Sequence, residues 1–276
     1  MDPNGRIVVV TGAAGGIGGA LVAALLRGDA RAVIATDLDT GPLERLHADL
    51  DHEGLDPDRV RERVRTRGLD VTDEAATRAL VREISDAVGP IDMWFANAGI
   101  ATASGLDAPD TQWQRQWQVN VMAHLYAARA LIPGWTRRGE GHLVTTASMA
   151  GILTAAGDGA YSASKHAAVG LAEWLAYTYA HAGVRVSCVC PGAVDTSMLR
   201  AGAHGDATRA SAAIGAGEVL SPREAANRIL RGVVEDRFLV LTHPDMRDYA
   251  IGKAQDPERW IAGMTRLWAR AQTLLD

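Results

Sequence analysis

Hydrophobic and polar positions follow two different periods along the chain, and each period predicts its own kind of element. Short apolar runs rich in β-branched residues, such as "RIVVV" and "AVIATD", are typical of buried strands. Longer runs such as "DEAATRALVREISDAVG" repeat their apolar residues at helical spacing, and Thr72 just before this run is its expected N-cap. The predicted strands fall within 6–10, 32–37, 63–71, 91–99, 142–148, 185–192 and 238–241, and the predicted helices within 17–28, 41–53, 73–89, 110–136 and 160–182.

The alternation of strands and helices predicts the fold class. Repeated strand–helix–strand units form parallel sheets with right-handed crossovers and helices on both faces. We therefore predict an α/β fold, a Rossmann-type doubly wound parallel sheet of about seven strands. No Pro-rich linker, abrupt change of composition or internal repeat divides the chain, so residues 1–276 are expected to form a single domain.

Two segments depart from this alternation. Residues 196–220 are rich in Ala and Gly without a clean period, which predicts a mobile insertion with short helices in the position of a lid. Residues 244–276 predict a C-terminal helical tail. This tail could pack against its own domain, close over a pocket or contact a neighbouring subunit. Its apolar face is expected to hold Trp260, Ile261, Met264, Leu267, Trp268 and Ala271.

Composition and charge exclude several classes of protein. With 22% charged residues, a net charge of −5 and no basic block, nucleic acid and anionic membrane are unlikely partners. The N-terminus shows no secretory signal and no run of about 18 apolar residues occurs. Cys188 and Cys190 are expected side by side on one strand face, which fits a reducing cytoplasm. The histidines lack the paired spacing of metal ligands, so no metal is expected.

A glycine-rich turn stands between the first predicted strand and the first predicted helix. The run "VVVTGAAGGIGGALVAALL" contains Gly12, Gly15, Gly16 and Gly18. Glycine permits positive φ and lets backbone N–H groups approach a pyrophosphate at the N-terminus of a helix. A tight turn with no further role is the alternative. The position after a strand and before a helix favours a dinucleotide site.

Asp37 ends the second predicted strand, 19 residues after Gly18. A carboxylate there can accept hydrogen bonds from the hydroxyls of an adenosine ribose and repels a 2′-phosphate. Neither the turn nor the following "DLD" contains a basic residue. The sequence therefore predicts NAD rather than NADP, against the alternative of a solvated aspartate at a strand end.

Tyr161 and Lys165 lie four residues apart in the helical run "GAYSASKHAAVG", so they share one helix face. One interpretation is an ordinary helix with an amphipathic tyrosine and a solvated lysine. The other is a proton-transfer pair, in which the cation favours the phenolate of a group that otherwise titrates near about 10. The pair alone does not decide between them.

The motifs taken together resemble the short-chain dehydrogenase/reductase family. They are "TGAAGGIG" at 11–18, "ANAG" at 96–99, Ser148 in "TTASMAG", "YSASK" at 161–165 and "PGAVDT" at 191–196, and the resemblance runs from about residue 5 to about residue 242. Gly12, Gly15 and Gly18 also fit the pattern of the longer, epimerase-like branch. Gly16, the "NAG" motif and the 13-residue interval from Ser148 to Tyr161 favour the short-form branch.

The resemblance implies a catalytic group of Asn120, Ser148, Tyr161 and Lys165. It implies that Tyr161 is the proton-transfer base, that Ser148 holds the substrate oxygen and that Lys165 also orients the nicotinamide ribose. Asn120 would kink its helix and hold a water that links the lysine to solvent. His142 and His166 are interpreted as structural residues.

The resemblance also implies a set of cofactor contacts, in which Asp70 and Val71 flank the adenine and the segment after the sixth strand borders the nicotinamide. The full expected set is Gly12, Gly15, Gly16, Ile17, Gly18, Asp37, Asp70, Val71, Asn97, Gly99, Tyr161, Lys165, Pro191, Gly192, Val194 and Thr196. Thr196 is equally placed to be a helix N-cap.

The expected substrate pocket is apolar, lined by small and aliphatic residues that follow the fifth and sixth strands and by the lid. Its predicted members are Met149, Ala150, Leu153, Ala155, Ala193, Met198 and Leu199. They indicate a hydrophobic secondary alcohol or its ketone as substrate. The resemblance also implies a homotetramer, with a dimer as the alternative, in which the two long helices pair through Ala163, Ala167, Ala168 and Gly170.

The sequence thus predicts a single dinucleotide-binding and catalytic domain, an NAD-dependent alcohol dehydrogenase or ketone reductase. Two alternatives stay open because a fold does not fix a function. One is a non-catalytic dinucleotide-sensing protein. The other is a dehydratase or epimerase that uses the same tyrosine.

Overall fold

The computed structural model describes residues 1–52, 54–102, 105–203 and 218–273. Seven strands form one parallel sheet in the order β3-β2-β1-β4-β5-β6-β7. The strands are β1 Ile7–Thr11, β2 Ala32–Asp37, β3 Val64–Gly68, β4 Met93–Ala96, β5 Gly141–Thr146, β6 Val184–Cys190 and β7 Leu239–Leu241. The predicted Rossmann-type α/β fold, with its doubly wound parallel sheet, is confirmed.

Helices connect the strands and cover both faces of the sheet. They are α1 Gly16–Arg27, α2 Thr40–His52, α3 Pro57–Arg63, α4 Glu74–Ala87, α5 Asp110–Trp117, α6 Ala123–Arg138, α7 Gly159–Tyr179, α8 Ser197–Ala203, α9 Pro222–Val234, α10 Met246–Gln255 and α11 Pro257–Thr273. A π-helical turn, Gln118–Met122, joins α5 to α6, and single 3₁₀ turns occur at Met149–Gly151 and Ala180–Ala182.

Two hydrophobic cores lie on opposite faces because successive strand residues point to opposite sides of a sheet. Val8 and Val10 of β1 join the core beneath α1, α2 and α9. Ile7 and Val9 of the same strand join the core beneath α4, α6 and α7. With both faces covered, β1 is buried along its whole length. Free Cys188 and Cys190 are fully buried in the second core, on one face of β6 as predicted.

The strand order reverses direction at β1. Chain order runs outward from β1 through β2 to β3, and then resumes on the other side of β1 with β4. A parallel sheet opens a crevice at the carboxyl ends of its strands where the order reverses. The glycine turn after β1 and the segment after β4 therefore face one crevice, which positions the site described below.

The N-cap of α4 differs from the prediction. Thr72 does not cap this helix, because its backbone N–H and its hydroxyl both donate to Oδ1 of Asp70, at 2.9 and 2.7 Å. Asp73 is the N-cap instead, and its Oδ1 accepts from the N–H of Ala76 at 2.9 Å. Two adjacent residues can both cap, and the neighbouring carboxylate decides between them.

Two helices have no counterpart in the sequence prediction. Asp56 caps α3, with Pro57 at its first position. Ser221 caps α9, with Pro222 at its first position and a hydroxyl that accepts from the N–H of Glu224 at 3.2 Å. A capping residue followed by proline is a recognised helix start, so both helices carried a readable signal.

The structure describes most of the tail and only part of the predicted lid. The tail is helical, and Trp260, Met264, Leu267 and Trp268 are half-buried on one side of α11. Ile261 was wrongly placed on that side, since it is 62% exposed. Ala271 lies outside the residues whose side chains the structure describes. Of the predicted lid 196–220, residues 204–217 also lie outside the described residues, and Ser197–Ala203 form α8.

Two buried histidines should make the fold acid-sensitive. Burial is the main cause that lowers the pKa of His124 and of His142 to about 3 each. An unfolded histidine titrates near about 6.5, so the unfolded chain binds more protons between about pH 6.5 and pH 3. The free energy of unfolding therefore decreases as the pH is lowered through that window, by about 1.4 kcal/mol per pH unit for each histidine.

Urea denaturation at several pH values between about 4 and 6 measures this slope. His124→Leu should make it shallower by about 1.4 kcal/mol per pH unit, because it removes one buried titrating group. His181, an exposed residue after α7, provides the control His181→Gln, which should leave the slope unchanged. Equal slopes in wild type and His124→Leu would contradict the prediction.

Candidate active site

The turn between β1 and α1 has the backbone that its glycines were expected to allow. Gly12 and Gly16 adopt φ of 67° and 56°, in the left-handed region. A Cβ on Gly18 would collide with the carbonyl oxygen of Gly12, and one on Gly12 would lie 2.8 Å from the Cα of Ala98. Glycine is therefore required here by close backbone approach as well as by conformation.

Polar groups on the neighbouring strands hold this turn in place. The Nδ2 of Asn97 donates to the carbonyl oxygens of Thr11 and Gly12, at 3.1 and 3.4 Å. The Thr11 hydroxyl oxygen accepts from the N–H groups of Asn97 and Ala98, both at 3.0 Å. Oδ2 of Asp37 accepts from the N–H of Ala14 at 3.0 Å. The turn is thus tied to the ends of both β2 and β4.

Ser148 and Tyr161 meet beside the ends of β5 and β6. Ser148 follows β5 and caps the 3₁₀ turn Met149–Gly151, with its Oγ accepting from the N–H of Ala150 at 3.1 Å. Tyr161 stands in the first turn of α7, where Asp158 caps the helix by accepting from the Tyr161 N–H at 2.9 Å. The Ser148 hydroxyl lies close enough to the Tyr161 phenol to lower its pKa.

The titration of Tyr161 runs opposite to the sequence expectation. Burial is the largest influence and raises the pKa of the phenol, whereas the hydrogen bond with Ser148 lowers it. The Nζ of Lys165 lies 5.5 Å from the centre of the Tyr161 ring, and the pKa of the phenol is nevertheless raised. A further positive charge next to the phenol is needed to favour the phenolate.

Lys165 is buried, at 2% exposure, and its ammonium donates to the carbonyl oxygen of Thr146 at 3.0 Å. Burial lowers its pKa to about 8. The neighbouring His166 is exposed and its Nδ1 contacts the carbonyl oxygen of Ser162 at 2.8 Å, so it lies off the face that Tyr161 and Lys165 share.

Asn120 is fully buried at the centre of the π-helical turn Gln118–Met122. Its Oδ1 accepts from the N–H of Ile100, and its Nδ2 donates to the carbonyl oxygen of Ile100, both at 3.0 Å. Nδ2 also lies 3.1 Å from the Oγ of Ser164. The amide therefore locks the segment after β4 onto α7. A π turn inside a helix is a recurring feature of functional sites.

The segment after β6 is fixed on two sides. The carbonyl oxygen of Pro191 accepts from the N–H of Met149 at 2.9 Å. Val194 forms a parallel bridge with Leu220, made by the backbone of Ala193 and Asp195. Backbone groups alternate in such a pairing, so the N–H and C=O of Val194 point away from Leu220. Thr196 caps α8, its Oγ1 accepting from the N–H of Leu199 at 3.3 Å.

One cavity of about 1990 Å³ brings these elements together. Three of the four predicted catalytic residues line it, and Asn120 stands behind it. Every predicted cofactor residue also lines it: Gly12, Gly15, Gly16, Ile17, Gly18, Asp37, Asp70, Val71, Asn97, Gly99, Tyr161, Lys165, Pro191, Gly192, Val194 and Thr196. So does every predicted substrate residue: Met149, Ala150, Leu153, Ala155, Ala193, Met198 and Leu199.

The cavity wall also contains residues that the sequence did not single out for it. Met246 and Tyr249 of α10 and Trp260 and Leu267 of α11 line it, so the tail both packs on its own domain and reaches the pocket. Lys253 of α10 fastens the tail by donating to the carbonyl oxygens of Ile152 and Leu153, at 2.6 and 3.2 Å. The amphipathic pattern of the tail was the signal for Trp260 and Leu267, whereas no pattern marked the residues of α10.

A nicotinamide dinucleotide fits the donor groups and spaces at one end of this cavity. The glycine turn leaves room that a Cβ would fill and precedes the N-terminus of α1, which suits a pyrophosphate. Asp37 offers carboxylate oxygens beside it, and the backbone of Val194 offers one donor and one acceptor further along. Among the described residues no group of His, Cys, Asp and Glu suits a metal ion.

Comparisons with known proteins place the chain in a family. The family model for short chain dehydrogenases matches residues 6–206. The 1-deoxy-11-beta-hydroxypentalenate dehydrogenase of Streptomyces exfoliatus is 35% identical over 256 residues, covering 90% of this chain and 86% of that protein. The chain therefore belongs to the short-chain dehydrogenase/reductase family. It is an oxidoreductase that acts on hydroxyl or ketone groups with a nicotinamide cofactor.

Solved structures agree on the fold and differ in cofactor. A family member from Burkholderia phymatum in complex with NAD has a TM-score of 0.82 and 28% identity, covering 94% of this chain and 96% of that one. A short chain dehydrogenase from Burkholderia cenocepacia in complex with NADP has a TM-score of 0.77 and 26% identity, covering 96% and 99%. In the part of the chain that the structure describes, no helix has the length and apolar character of a membrane span.

Proposed function

We propose that this protein is an NAD-dependent dehydrogenase/reductase that interconverts a hydrophobic secondary alcohol and its ketone. The observation that carries the proposal is that Ser148 and Tyr161, whose hydroxyls interact, line the same cavity as the glycine turn. A substrate oxygen held by both hydroxyls would lie beside a proton acceptor and within the same space as the cofactor.

NAD, when bound, would supply the acceptor for the hydride of the carbinol carbon. Ser148 holds and polarises the substrate oxygen, and Tyr161 takes its proton as the carbonyl forms. In the reverse direction Tyr161 returns this proton to the ketone oxygen. Burial disfavours the phenolate of Tyr161, and the positive charge of oxidised nicotinamide, when bound, would favour it.

Lys165 and Asn120 support this pair in the proposal. The buried ammonium of Lys165 lies near the ring of Tyr161 and would orient the nicotinamide ribose. A Cβ on Gly99 would lie 3.3 Å from both the Lys165 Nζ and the Asn120 Oδ1, so these two groups flank one point. Asn120 fixes the helix that carries it through Ile100 and Ser164. Because these contacts occupy the side chain of Asn120, its backbone in the π turn would hold the water near Lys165.

Asp37 supports NAD as the cofactor. Its carboxylate lines the cavity and is held by the N–H of Ala14, so it is oriented toward the turn. Leu38, Asp39 and Pro42 line the cavity next to it, and none of them can neutralise a 2′-phosphate.

The apolar wall supports a hydrophobic substrate. Met149 and Leu153 are buried against the sheet, and Trp260 from the tail packs on the same core. These residues line the same cavity as Ser148 and Tyr161, and such apolar surface favours an apolar ring or chain over a charged group. Arg200 pairs with Asp195 at 2.6 Å and does not line the cavity, so it is not placed to bind an anionic substrate there.

A substrate panel tests the proposed function. The protein is mixed with NAD or NADP and with secondary alcohols of increasing apolar bulk, and a polyol serves as the polar comparison, while nicotinamide absorbance is followed. We expect turnover with NAD and the apolar alcohols. Tight NAD binding without turnover of any alcohol or ketone would favour the sensing function, and loss of water from a hydroxy substrate would favour a dehydratase.

The assembly and location are part of the same proposal. Ala163 and Gly170 are exposed on α7, beside Trp174 at 43% and Tyr177 at 70% exposure, which supports a homotetramer that pairs the long helices. Ala168 was wrongly included in that surface, because it is fully buried in its own core. Light scattering of the purified protein, against 29.2 kDa for one chain, tests the assembly. The two free cysteines support a cytoplasmic location.

A further inference from the structure

The imidazole of His243, two residues after the end of β7, joins three separate segments. Its Nδ1 lies 3.2 Å from the N–H nitrogen of Gly192 and 2.8 Å from the Thr242 hydroxyl. Its Nε2 lies 2.9 Å from the carbonyl oxygen of Glu218. The side chain is 6% exposed and lines the same cavity as the proposed active site. No motif in the sequence pointed to this residue.

The partners of the ring fix its tautomer. The backbone N–H of Gly192 can only donate, so Nδ1 must be the acceptor. The carbonyl oxygen of Glu218 can only accept, so Nε2 must carry the hydrogen. Neutral His243 with its proton on Nε2 satisfies both neighbours at once. The charged form, with donors on both nitrogens, would turn a donor toward the N–H of Gly192.

Gly192 is matched to this ring. β6 ends at Cys190 and the next residue is Pro191, which has no N–H, so the N–H of Gly192 is the first donor after the strand. The side chains of His243 and Thr242 accept it, at 3.2 and 3.3 Å. A Cβ on Gly192 would lie 2.6 Å from Nδ1 of His243. Only glycine lets the imidazole approach this closely.

His243 contacts the chain just before each of the two partners of the bridge that positions Val194. Gly192 lies two residues before Val194, and Glu218 lies two residues before Leu220, the partner of Val194 in the bridge. His243 therefore ties together the two chain segments just ahead of their pairing. Arg228 reinforces the same point, since it donates to the carbonyl oxygen of Thr242 at 2.8 Å and pairs with Glu218 at 3.1 Å.

We infer that His243 is a positioning residue for the nicotinamide end of the cofactor, acting through the N–H of Gly192. This inference rests on the proposed function, in which Pro191, Gly192 and Val194 border the nicotinamide. His243 itself sets the path of the segment, and the backbone of Val194 presents the donor and acceptor to the carboxamide. Loss of the ring should loosen this end of the site and leave the adenosine end, at the glycine turn and Asp37, unchanged.

The test compares two ligands that differ only in the nicotinamide. ADP-ribose contains the adenosine, pyrophosphate and second ribose, whereas NAD adds the nicotinamide ring. Calorimetric titration of each ligand is carried out on wild type, His243→Ala, His243→Asn and His243→Gln, and on His181→Ala as an exposed-histidine control. Thermal melting of each variant establishes that the protein titrated is folded.

We expect His243→Ala to weaken NAD binding by about fivefold to tenfold and to leave ADP-ribose affinity within about twofold. His243→Asn should restore most of the NAD affinity, because its Oδ1 can take the place of Nδ1 as acceptor for Gly192. His243→Gln keeps a donor for Glu218 in place of Nε2, so it should behave like the alanine variant toward NAD.

Three results would overturn the inference: equal weakening of both ligands, unchanged NAD affinity in the alanine and glutamine variants, or no difference between asparagine and glutamine. The first would mean that His243 has only a structural role. If wild type binds neither ligand, the proposed function fails, and this inference with it. ADP-ribose binding by wild type separates these two kinds of failure.

Discussion

Replacing Tyr161 with phenylalanine should lower kcat by about 10²- to 10⁴-fold while NAD still binds. The substitution removes only the phenol hydroxyl, which interacts with Ser148, and the ring can stay in the first turn of α7. The alcohol then has no acceptor for its proton, so hydride transfer would have to leave a protonated carbonyl. The cavity, the glycine turn and Lys165 remain.

Steady-state kinetics on the best alcohol of the panel, with NAD affinity measured in parallel, checks this expectation. Tyr177, on the same helix and 70% exposed, provides the matched control Tyr177→Phe, which should retain wild-type kcat. If Tyr161→Phe keeps more than about a tenth of wild-type kcat, Tyr161 is not the proton-transfer group and the proposed mechanism is wrong.

The second large effect concerns the choice of cofactor. The double substitution Asp37→Asn with Leu38→Arg should shift the ratio of kcat/KM for NAD over NADP by roughly 10²- to 10³-fold toward NADP. Asparagine keeps an oxygen for the N–H of Ala14, so the turn keeps its support while the repulsive charge is lost. Leu38 is 65% exposed at the cavity wall, where arginine could reach a 2′-phosphate.

Kinetics with both cofactors at subsaturating concentration give this ratio for each protein. The control is Asp39→Asn, which removes the same charge two residues further on, where the carboxylate accepts from the N–H of Gly41 in the first turn of α2. A wild-type enzyme that prefers NADP, or a double variant with an unchanged ratio, would show that Asp37 does not select the cofactor.

The fold was readable from the sequence because its strongest signals are local. A buried parallel strand is a short apolar run, and a covering helix repeats its apolar residues at helical spacing, so order and type followed from pattern. The prediction failed in detail where two neighbouring residues could fill the same role. Thr72 and Asp73 are both good caps, and the choice depends on Asp70, whose contact with Thr72 no pattern announces. The helices α3 and α9 were missed although proline marked both starts.

The residues of the candidate site likewise divide into those that sequence motifs predict and those that only the structure reveals. The glycine turn, Asp37 and the Ser148–Tyr161–Lys165 group stand in ordered motifs, and the structure brings them to one cavity. His243 could not have been found, because its role depends on β7 ending beside Gly192 in space, 51 residues away along the chain. The raised pKa of Tyr161 was also beyond the sequence, since the spacing from Lys165 says nothing about burial.

The bonds that hold the glycine turn have a consequence for the thermodynamics of cofactor exchange. Asn97, Thr11 and Asp37 fix this backbone within the protein's own hydrogen-bond network, so its path is already set before a dinucleotide arrives. Ordering a loop on binding would cost about 1–2 kcal/mol for each residue that becomes fixed. Here folding has already met that entropic cost, and preorganisation lets the dinucleotide leave and return at each turnover without a local folding step.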